Sequence, residues 1–528
     1  MVSTASPPVS IQRRPPAKKL VLVISALVTA SAIGLVVLAT HWPFSKNEVL
    51  EDLREASDSQ VTVRSFRETF FPSPGCVLEG VVFAHAKNEL KPLITIDRVT
   101  VRGSYHGLLT QHVEKIVAEG MRVSVPAFGT GQALHTTKSK ITVDEIIANG
   151  AIVDFAYHDR DHTPLQFDVH EARLRNVSWN GPMNYEIRVH NPEPPGEVSA
   201  SGLFGVWNQD NPGETPVSGE YHFENADLSF YKAIAGTLSS QGKFSGKVSH
   251  IDISGNTNTP DFEVKSSGHK VNLTAAFTAY VDAIHGDTFL ERVEADLWKT
   301  HIVAEGSVAK SANGPGKTAI LNLRSVRGRI QDLLMLFITA NRSPMSGPVT
   351  FKARAEIPPG PGPFLKKIKL RGQFGIEGGA FSDASTQQSV NKLSASALGE
   401  KDKSDPETAL TDLSGEEDLA NGVTTFTNLS FGIAGAHARF HGTYNLLNQR
   451  IDLRGKMRVD TKISKTESGA KALLLKAMDP FFRKKKNGEV VPVHIGGTYD
   501  HPTYGLDLGD KNTRNPRATP GGAWDKKK

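Results

Sequence analysis

The feature that most constrains this chain is an alternation of apolar and polar side chains that recurs over hundreds of residues. In Ile451–Ile463, every even-numbered residue is charged and most odd-numbered residues are apolar. Lys270–Thr278 repeats the pattern, and Glu291–Val308 and Phe426–Tyr444 also have the composition of strands separated by turn residues. Successive side chains of a strand point to opposite faces, so this period of two predicts sheet with one apolar and one polar face.

Helical spacing is confined to short segments. A mainly β fold built from antiparallel sheet, with a few short helices, is therefore expected. The segments with helical spacing are Glu48–Ser57, Leu108–Ala118, Val143–Ala148, Gln331–Thr339 and Gly469–Met478.

An apolar sheet face of this extent needs a cover. A second sheet or a helix would close it into an ordinary core, whereas a concave face left open could hold a lipid-like ligand. The residues alone leave both interpretations open. Eight side chains on such faces are candidates for a lipid groove: Val271, Leu273, Phe277, Ile451, Leu453, Met457, Val459 and Ile463.

The 20 residues Leu20–Ala39 contain no charge and would span about 30 Å as a helix, the hydrocarbon thickness of a bilayer. Four cations and no acid precede this run within Ile11–Lys19, and no basic excess follows it. The positive-inside rule then predicts a transmembrane helix with residues 1–19 in the cytoplasm and the bulk of the chain outside it. The alternative is a cleaved signal peptide ending near Ala39, although the run is longer than the usual h-region.

A length of 528 residues predicts several domains or one elongated repetitive structure. The net charge of +5 is too small for this length to indicate a nucleic-acid partner. Ala384–Asn421 is rich in small and charged residues and is predicted to be a mobile insertion, and residues 509–528 a disordered tail.

Two clusters imitate functional motifs. His158 and His162 surround three charged residues, but on a strand they would lie roughly 13 Å apart, so a polar hairpin loop is favoured over a metal site. Gly314–Thr318, GPGKT, ends like a phosphate-binding loop, yet Ser311 stands where the first glycine belongs and Pro315 removes an amide donor. A hairpin turn is predicted there.

Nothing in the sequence favours catalysis, and no cofactor is expected. The single cysteine, Cys76, excludes an intrachain disulfide and a thiolate-rich zinc site. It lies in a Pro-Gly context and is predicted to be a structural thiol.

The segment Gly469–Lys486 combines an apolar helical stripe with a following cluster of cations. It could cap one end of the sheet with its cations in water, or contact an anionic membrane surface. The membrane-contact candidates are Leu473, Leu474, Met478, Phe481, Phe482, Arg483, Lys484, Lys485 and Lys486.

Three segments together resemble the AsmA-like proteins of diderm bacteria, relatives of TamB within the bridge-like lipid-transfer group. The first is FFPSPGCVLEGVVF, Phe70–Phe83, with the strand-rich Ile94–Pro126 that follows it. The second is Ser245–Ala295, which contains TPDF and GDT, and the third runs from Phe426 to VPVHIGGTYDHPTYGLDL, Val491–Leu508. These motifs are patterns of strand, glycine and proline and carry no catalytic signature.

The resemblance implies an anchor in the inner membrane and an elongated, curved periplasmic β-structure with a hydrophobic groove. It divides the exported part into an N-terminal region at 46–190, a central repeat region at 195–383 and a C-terminal region at 422–508. Phospholipid is then the expected partner, with transport to, or maintenance of, the outer membrane as the expected function. A scaffold that assists outer-membrane protein assembly, with envelope proteins as partners, is the alternative.

Overall fold

The computed structural model describes residues 44–507, except for 58, 85–92, 108–109, 111, 126–140, 156–164, 179, 209–210, 283–285, 312–315, 361, 383–409, 434–435, 460–489 and 499–501. The chain divides into two compact units. The first contains the residues up to Ile187 together with Gly205–Gln209, and the second contains Arg188–Phe204 and the residues from Asp210 onward.

The first unit is a short helix followed by strands that pair with their neighbours in sequence. Strands β1 and β2 both pair with β3, and the order then continues β3, β4, β5, β6 and β7. Its elements are α1 Lys46–Ser57, β1 Gln60–Thr62, β2 Ser65–Thr69, β3 Gly75–Ala84, β4 Ile94–Gly103, β5 His112–Val125, β6 Thr142–Phe155 and β7 Leu165–Val177, after which β8 Met183–Pro192 crosses into the second unit.

Helix α1 covers part of the apolar face of the first unit. Ser45 caps the helix, because its Oγ accepts a hydrogen bond from the Glu48 N–H at 3.4 Å. Leu50 on the helix belongs to one cluster with Val61, Leu78 and Val81, and the last three side chains are each only 1% exposed. The alternation beneath α1 is therefore resolved as a closed core. Val123, Val153 and Phe167, which lie opposite one another on β5, β6 and β7, are half-buried.

The second unit is a long succession of antiparallel strands. From β12 to β17, and again from β22 to β27, each strand pairs with the next one in the chain. Its strands after β8 are β9 Pro195–Phe204, β10 Pro216–Asp227, β11 Ile234–Ala235, β12 Thr237–Lys247, β13 His250–Val264, β14 Lys270–Asp282, β15 Asp287–Leu297, β16 Thr300–Lys310, β17 Lys317–Arg329, β18 Met345–Ser346, β19 Pro348–Ile357, β20 Lys369–Ile376, β21 Ala380–Phe381, β22 Thr411–Ala420, β23 Val423–Ile433, β24 Ala436–Asn445, β25 Arg450–Val459, β26 Val490–Gly497 and β27 Pro502–Leu506.

Small elements cover parts of the apolar face in the second unit. Leu336 follows helix α2, Ile330–Met335, and packs with Val271 and Leu297. Near the other end, Leu410 lies in a cluster with residues of β23 to β26, and Met345 of β18 and Phe381 of β21 pack against that cluster. Strands β18 and β21 form a separate two-stranded sheet, and helix α3, Phe364–Lys367, is a single turn.

The mainly β character predicted from the alternation is confirmed. The prediction of antiparallel pairing holds for every described pair of strands except one: β5 and β6 run parallel, so the large sheet is mixed. A parallel pair needs a long connection, and residues 126–140, which join these strands, lie outside the described part of the chain.

Two of the short helices predicted from spacing are wrong. The described residues of Leu108–Ala118 from His112 onward belong to β5, and Val143–Ala148 belongs to β6. Both segments contain β-branched residues, and β6 pairs with a strand on each side, so sheet formation overrides the local helical spacing. The helix predicted at Glu48–Ser57 is confirmed, and the one at Gln331–Thr339 is confirmed as far as Met335.

The strands on either side of both predicted hairpins pair antiparallel. Strands β6 and β7 pair from Phe155 and Leu165, and β16 and β17 pair from Lys310 and Lys317. His158–His162 and residues 312–315 lie outside the described part of the chain. The predicted insertion at Ala384–Asn421 extends too far, because Thr411–Ala420 forms β22 between β20 and β23. In β22, Leu413, Gly415 and Leu419 share the apolar face, an alternation that the acidic composition of the segment conceals.

No helix among the described residues is long and apolar enough to cross a membrane. The predicted anchor at Leu20–Ala39 and the segment Gly469–Lys486 both lie wholly outside the described residues. Both therefore stay predictions.

Candidate functional site

A transverse line of residues crosses the apolar face of the second unit, with one residue from each of fourteen strands. Each member lies directly opposite the next in the register of the paired strands. We call this line the apolar row. Its fourteen members are Tyr221, Gly242, Gly255, Phe277, Val293, Ala304, Leu323, Ala353, Gly372, Glu417, Phe426, Gly442, Leu453 and Ile495.

All fourteen residues of the apolar row are half-buried, and none is fully buried. Inward-facing residues of a closed two-layer core would be almost wholly removed from solvent, as Leu78 and Val81 are in the first unit. At about 4.8 Å between neighbouring strands, thirteen strand spacings give the row a contour length of roughly 60 Å. The row is thus a long apolar strip that keeps contact with solvent.

Aromatic rings lying over glycines form the surface of this strip at the β10 end. A Cβ atom added at Gly242 would lie 2.9 Å from a ring carbon of Tyr221, and one at Gly255 would lie 2.7 Å from its hydroxyl oxygen. The Tyr221 ring therefore occupies the space over two glycines on the neighbouring strands. Its hydroxyl lies 3.0 Å from Ser240 Oγ, and burial raises the pKa of Tyr221.

The same arrangement recurs at the other end of the unit. A Cβ at Gly415 would meet the Phe374 ring at 3.0 Å, and one at Gly455 would meet the Phe440 ring at 2.6 Å. Because glycine has no side chain, the ring of a neighbouring residue can lie along the sheet at that position. These close approaches explain why glycine recurs at inward positions of strands, where a larger apolar residue would be expected.

Glu417 is the one charged residue of the apolar row. It faces Gly372 on one neighbouring strand and Phe426 on the other. Its carboxylate makes no hydrogen bond or ion pair with any residue in the described part of the chain, and burial raises its pKa. An isolated carboxylate is tolerated on an apolar face only where water can still reach it, which agrees with the half-buried state of the whole row.

The predicted groove residues divide between the row and its covered flanks. Phe277 and Leu453 are members of the apolar row. Ile451 lies two residues before Leu453 in β25, on the same face, and is half-buried. Val271 is 2% exposed and packs with Leu336, while Leu273 packs against that cluster.

The remaining predicted residues fall at the far end of the unit or outside the description. Met457 is 7% exposed in the cluster that includes Leu410. Val459 ends β25, and Ile463 lies outside the described residues. The membrane-contact candidates Leu473 to Lys486 also lie outside them.

Sequence reasoning missed the contributions of Tyr221, Gly242, Gly255 and Glu417. Strand β12, with Ser240, Gly242 and Gly246 among its inward positions, lacks the strong apolar signal of β14 or β25. The signal that could have placed it in the sheet is the alternation at 241–247, where Gln241, Lys243, Ser245 and Lys247 alternate with Gly242, Phe244 and Gly246.

The thiol of Cys76 takes no part in the apolar row. It lies in β3 of the first unit with no exposed surface, and burial, with a smaller effect of Glu68, raises its pKa to about 12. It is a packed side chain at neutral pH. Among the described residues, no group of three or more histidine, cysteine or acidic side chains is placed to hold a metal ion.

Comparisons with known proteins add no relative. No protein-family model matches the chain, and neither a curated protein nor a solved structure is significantly similar to it.

Proposed function

We propose that the protein binds the acyl chains of phospholipids along the apolar row and takes part in lipid transport between the membranes of a cell envelope. The observation that carries this proposal is the half-buried state of all fourteen row residues over about 60 Å. Each methylene group removed from water on such a surface contributes about 0.8 kcal/mol, so even partial coverage of one acyl chain would bind it.

The polar face of the same strands supports solubility in an aqueous compartment. Residues next to row members in the chain are mostly exposed and polar, as Lys243 beside Gly242 and Arg324 beside Leu323 show. An amphipathic sheet of this kind can shield acyl chains on one face while the other faces water. Together with the predicted anchor at Leu20–Ala39 and the resemblance to AsmA-like proteins, this supports a location at the inner membrane with the bulk of the chain in the periplasm.

Site-specific photocrosslinking tests the proposal in the full-length protein in cell membranes. A photoreactive phenylalanine analogue is placed at Phe277 or Leu323 in the row, and mass spectrometry detects lipid attached after irradiation. We expect phospholipid adducts at both row positions, since both side chains lie on the proposed lipid-binding face.

Matched controls use Thr278, the next residue after Phe277, and Arg292, which lies opposite it on β15; both are exposed on the polar face. These positions should give little or no lipid adduct. Equal labelling of the two faces, or protein adducts without lipid at Phe277 and Leu323, would contradict lipid binding, and the second result would favour the assembly-scaffold alternative.

A further inference from the structure

Four cations lie together on the polar face of the second unit. Arg324 on β17 lies directly opposite Lys352 on β19, and Arg354 on β19 lies directly opposite Arg371 on β20. Lys352 and Arg354 are two residues apart on one strand, so all four side chains are neighbours on one face. We call these four residues the cation patch.

Directly opposed like charges are unfavourable in a sheet, because the Cβ atoms of such a pair lie only about 5 Å apart. Several other cations on the polar face of this unit have an acidic partner directly across the strand pair, although Arg439 and Lys456 also lie opposite each other. Examples of these ion pairs are Lys243 with Glu220 at 2.9 Å, Lys369 with Glu356 at 3.2 Å and Arg371 with Asp418 at 2.7 Å.

Three members of the cation patch have no such partner. Arg324, Lys352 and Arg354 are exposed, and none makes an ion pair or side-chain hydrogen bond with another described residue. Arg371 alone is neutralised, by Asp418. The two remaining acids near the patch, Glu305 and Glu416, lie one strand beyond its two edges.

The patch surrounds a recess that can hold a ligand. A pocket of about 670 Å³ runs across β16 to β23 and is lined by all four cations, with Asn322 and Gln373 as further hydrogen-bonding side chains. Four acidic residues also line it: Asp418, which pairs with Arg371, and Glu305, Glu416 and Glu417. Ala353 and Gly372, which belong to the apolar row, also line it and have little or no side chain. The recess thus brings the three cations without an ion-pair partner together with amide groups, while Glu305 and Glu416 lie beyond the edges of the cation patch.

We propose that the cation patch is a binding site for a phosphate group, carried either by a lipid headgroup or by a small soluble phosphate ester. Two guanidinium groups and an ammonium group can share the oxygens of one phosphate, and arginine forms bidentate hydrogen bonds with it. A bound anion also removes the repulsion between the opposed cations. This site is separate from the apolar row and lies on the opposite face of the same strands.

Calorimetric titration of the full-length protein in a neutral detergent tests the site. The two probes are glycerol phosphate and dihexanoyl phosphatidylglycerol, which present a soluble phosphate ester and a lipid headgroup. The test variant carries Arg324→Gln, Lys352→Gln and Arg354→Gln. The control carries Lys243→Gln, Lys369→Gln and Arg122→Gln, which remove the same charge from cations that have acidic partners.

We expect at least one probe to bind the wild-type protein and the control, with an affinity that falls as salt is raised. The test variant should lose about tenfold or more of that affinity, which is 1.4 kcal/mol. Binding of the lipid probe alone identifies a headgroup site, and binding of glycerol phosphate alone identifies a soluble ligand. Absence of binding by both probes, or an equal loss in the control, overturns the proposal and leaves the test of lipid binding at the apolar row unaffected.

Discussion

The part of the first unit beneath helix α1 and the apolar row of the second unit are built from the same alternating strands, but one is closed and the other is half-buried. In the first, helix α1 lies over the apolar face, and Val61, Leu78 and Val81 are each 1% exposed. In the second, the apolar row crosses fourteen strands without one fully buried member. Alternation therefore specifies which face of a sheet is apolar, and it does not specify whether that face is closed.

The difference lies in the covering elements. The first unit has a twelve-residue helix that contributes Leu50 to its core. Among the described residues of the second unit, the covering elements are a six-residue helix and a two-stranded sheet, which contribute Leu336, Met345 and Phe381 to clusters beside the row. A face of this length cannot be closed by covers so short, so much of it stays in contact with solvent or with a ligand.

A charge placed on each apolar face gives the largest expected contrast. Leu78→Asp buries an unpaired carboxylate in the first unit and should cost more than about 4 kcal/mol of unfolding free energy. Leu323→Asp in the row should cost only about 1–2 kcal/mol, because water can still reach the new carboxylate. Urea unfolding followed by circular dichroism measures both variants.

Matched Leu78→Asn and Leu323→Asn variants separate the effect of charge from that of lost packing. Aspartate should be much worse than asparagine at position 78 and nearly equal to it at position 323. Two variants of equal stability loss at 78 and 323 would mean that the row is closed in solution.

Thiol reactivity provides a second contrast, smaller in free energy. Cys76 has no exposed surface and a pKa of about 12, so at pH 8 it is almost wholly protonated and inaccessible. A cysteine introduced by Phe277→Cys in a Cys76→Ala background should react with N-ethylmaleimide about a hundredfold faster or more, since no opening of a core is required.

Both proteins should react completely in denaturant, which confirms that each thiol is intact. Comparable native rates for Cys76 and Phe277→Cys would remove the distinction between a closed and an open face.

The sequence predicted the sheet well and its covers poorly. The alternation in Lys270–Thr278 and Ile451–Ile463 placed β14 and β25 correctly, because strand period is a local property. The helical spacing of Val143–Ala148 predicted a helix wrongly, because this segment forms a strand that pairs with a strand on each side. The row itself could not be predicted, since it depends on the register of strands as far apart as Tyr221 and Ile495, and its glycines carry no apolar signal.

The ionisation of Glu417 in the apolar row makes the folding stability depend on pH. Burial raises the pKa of this carboxyl above 4.5, so the folded state binds its proton more tightly than the unfolded state does. This group therefore lowers stability as pH rises from about 4.5 through its folded pKa, and its effect is small at lower pH. Glu417→Gln removes the ionisable group, so its stability relative to wild type should increase between pH 4 and pH 8.

Glu416→Gln is the matched control, because Glu416 precedes Glu417 in the same strand and is exposed on the polar face. Urea midpoints at several pH values measure the difference. A bound acyl chain would remove more water from Glu417 and steepen the wild-type decline, whereas a row filled by the protein's own side chains would leave it unchanged by added lipid. A flat difference between Glu417→Gln and wild type across this range would show that the carboxyl is fully hydrated, and the row would then be more open than its half-buried side chains indicate.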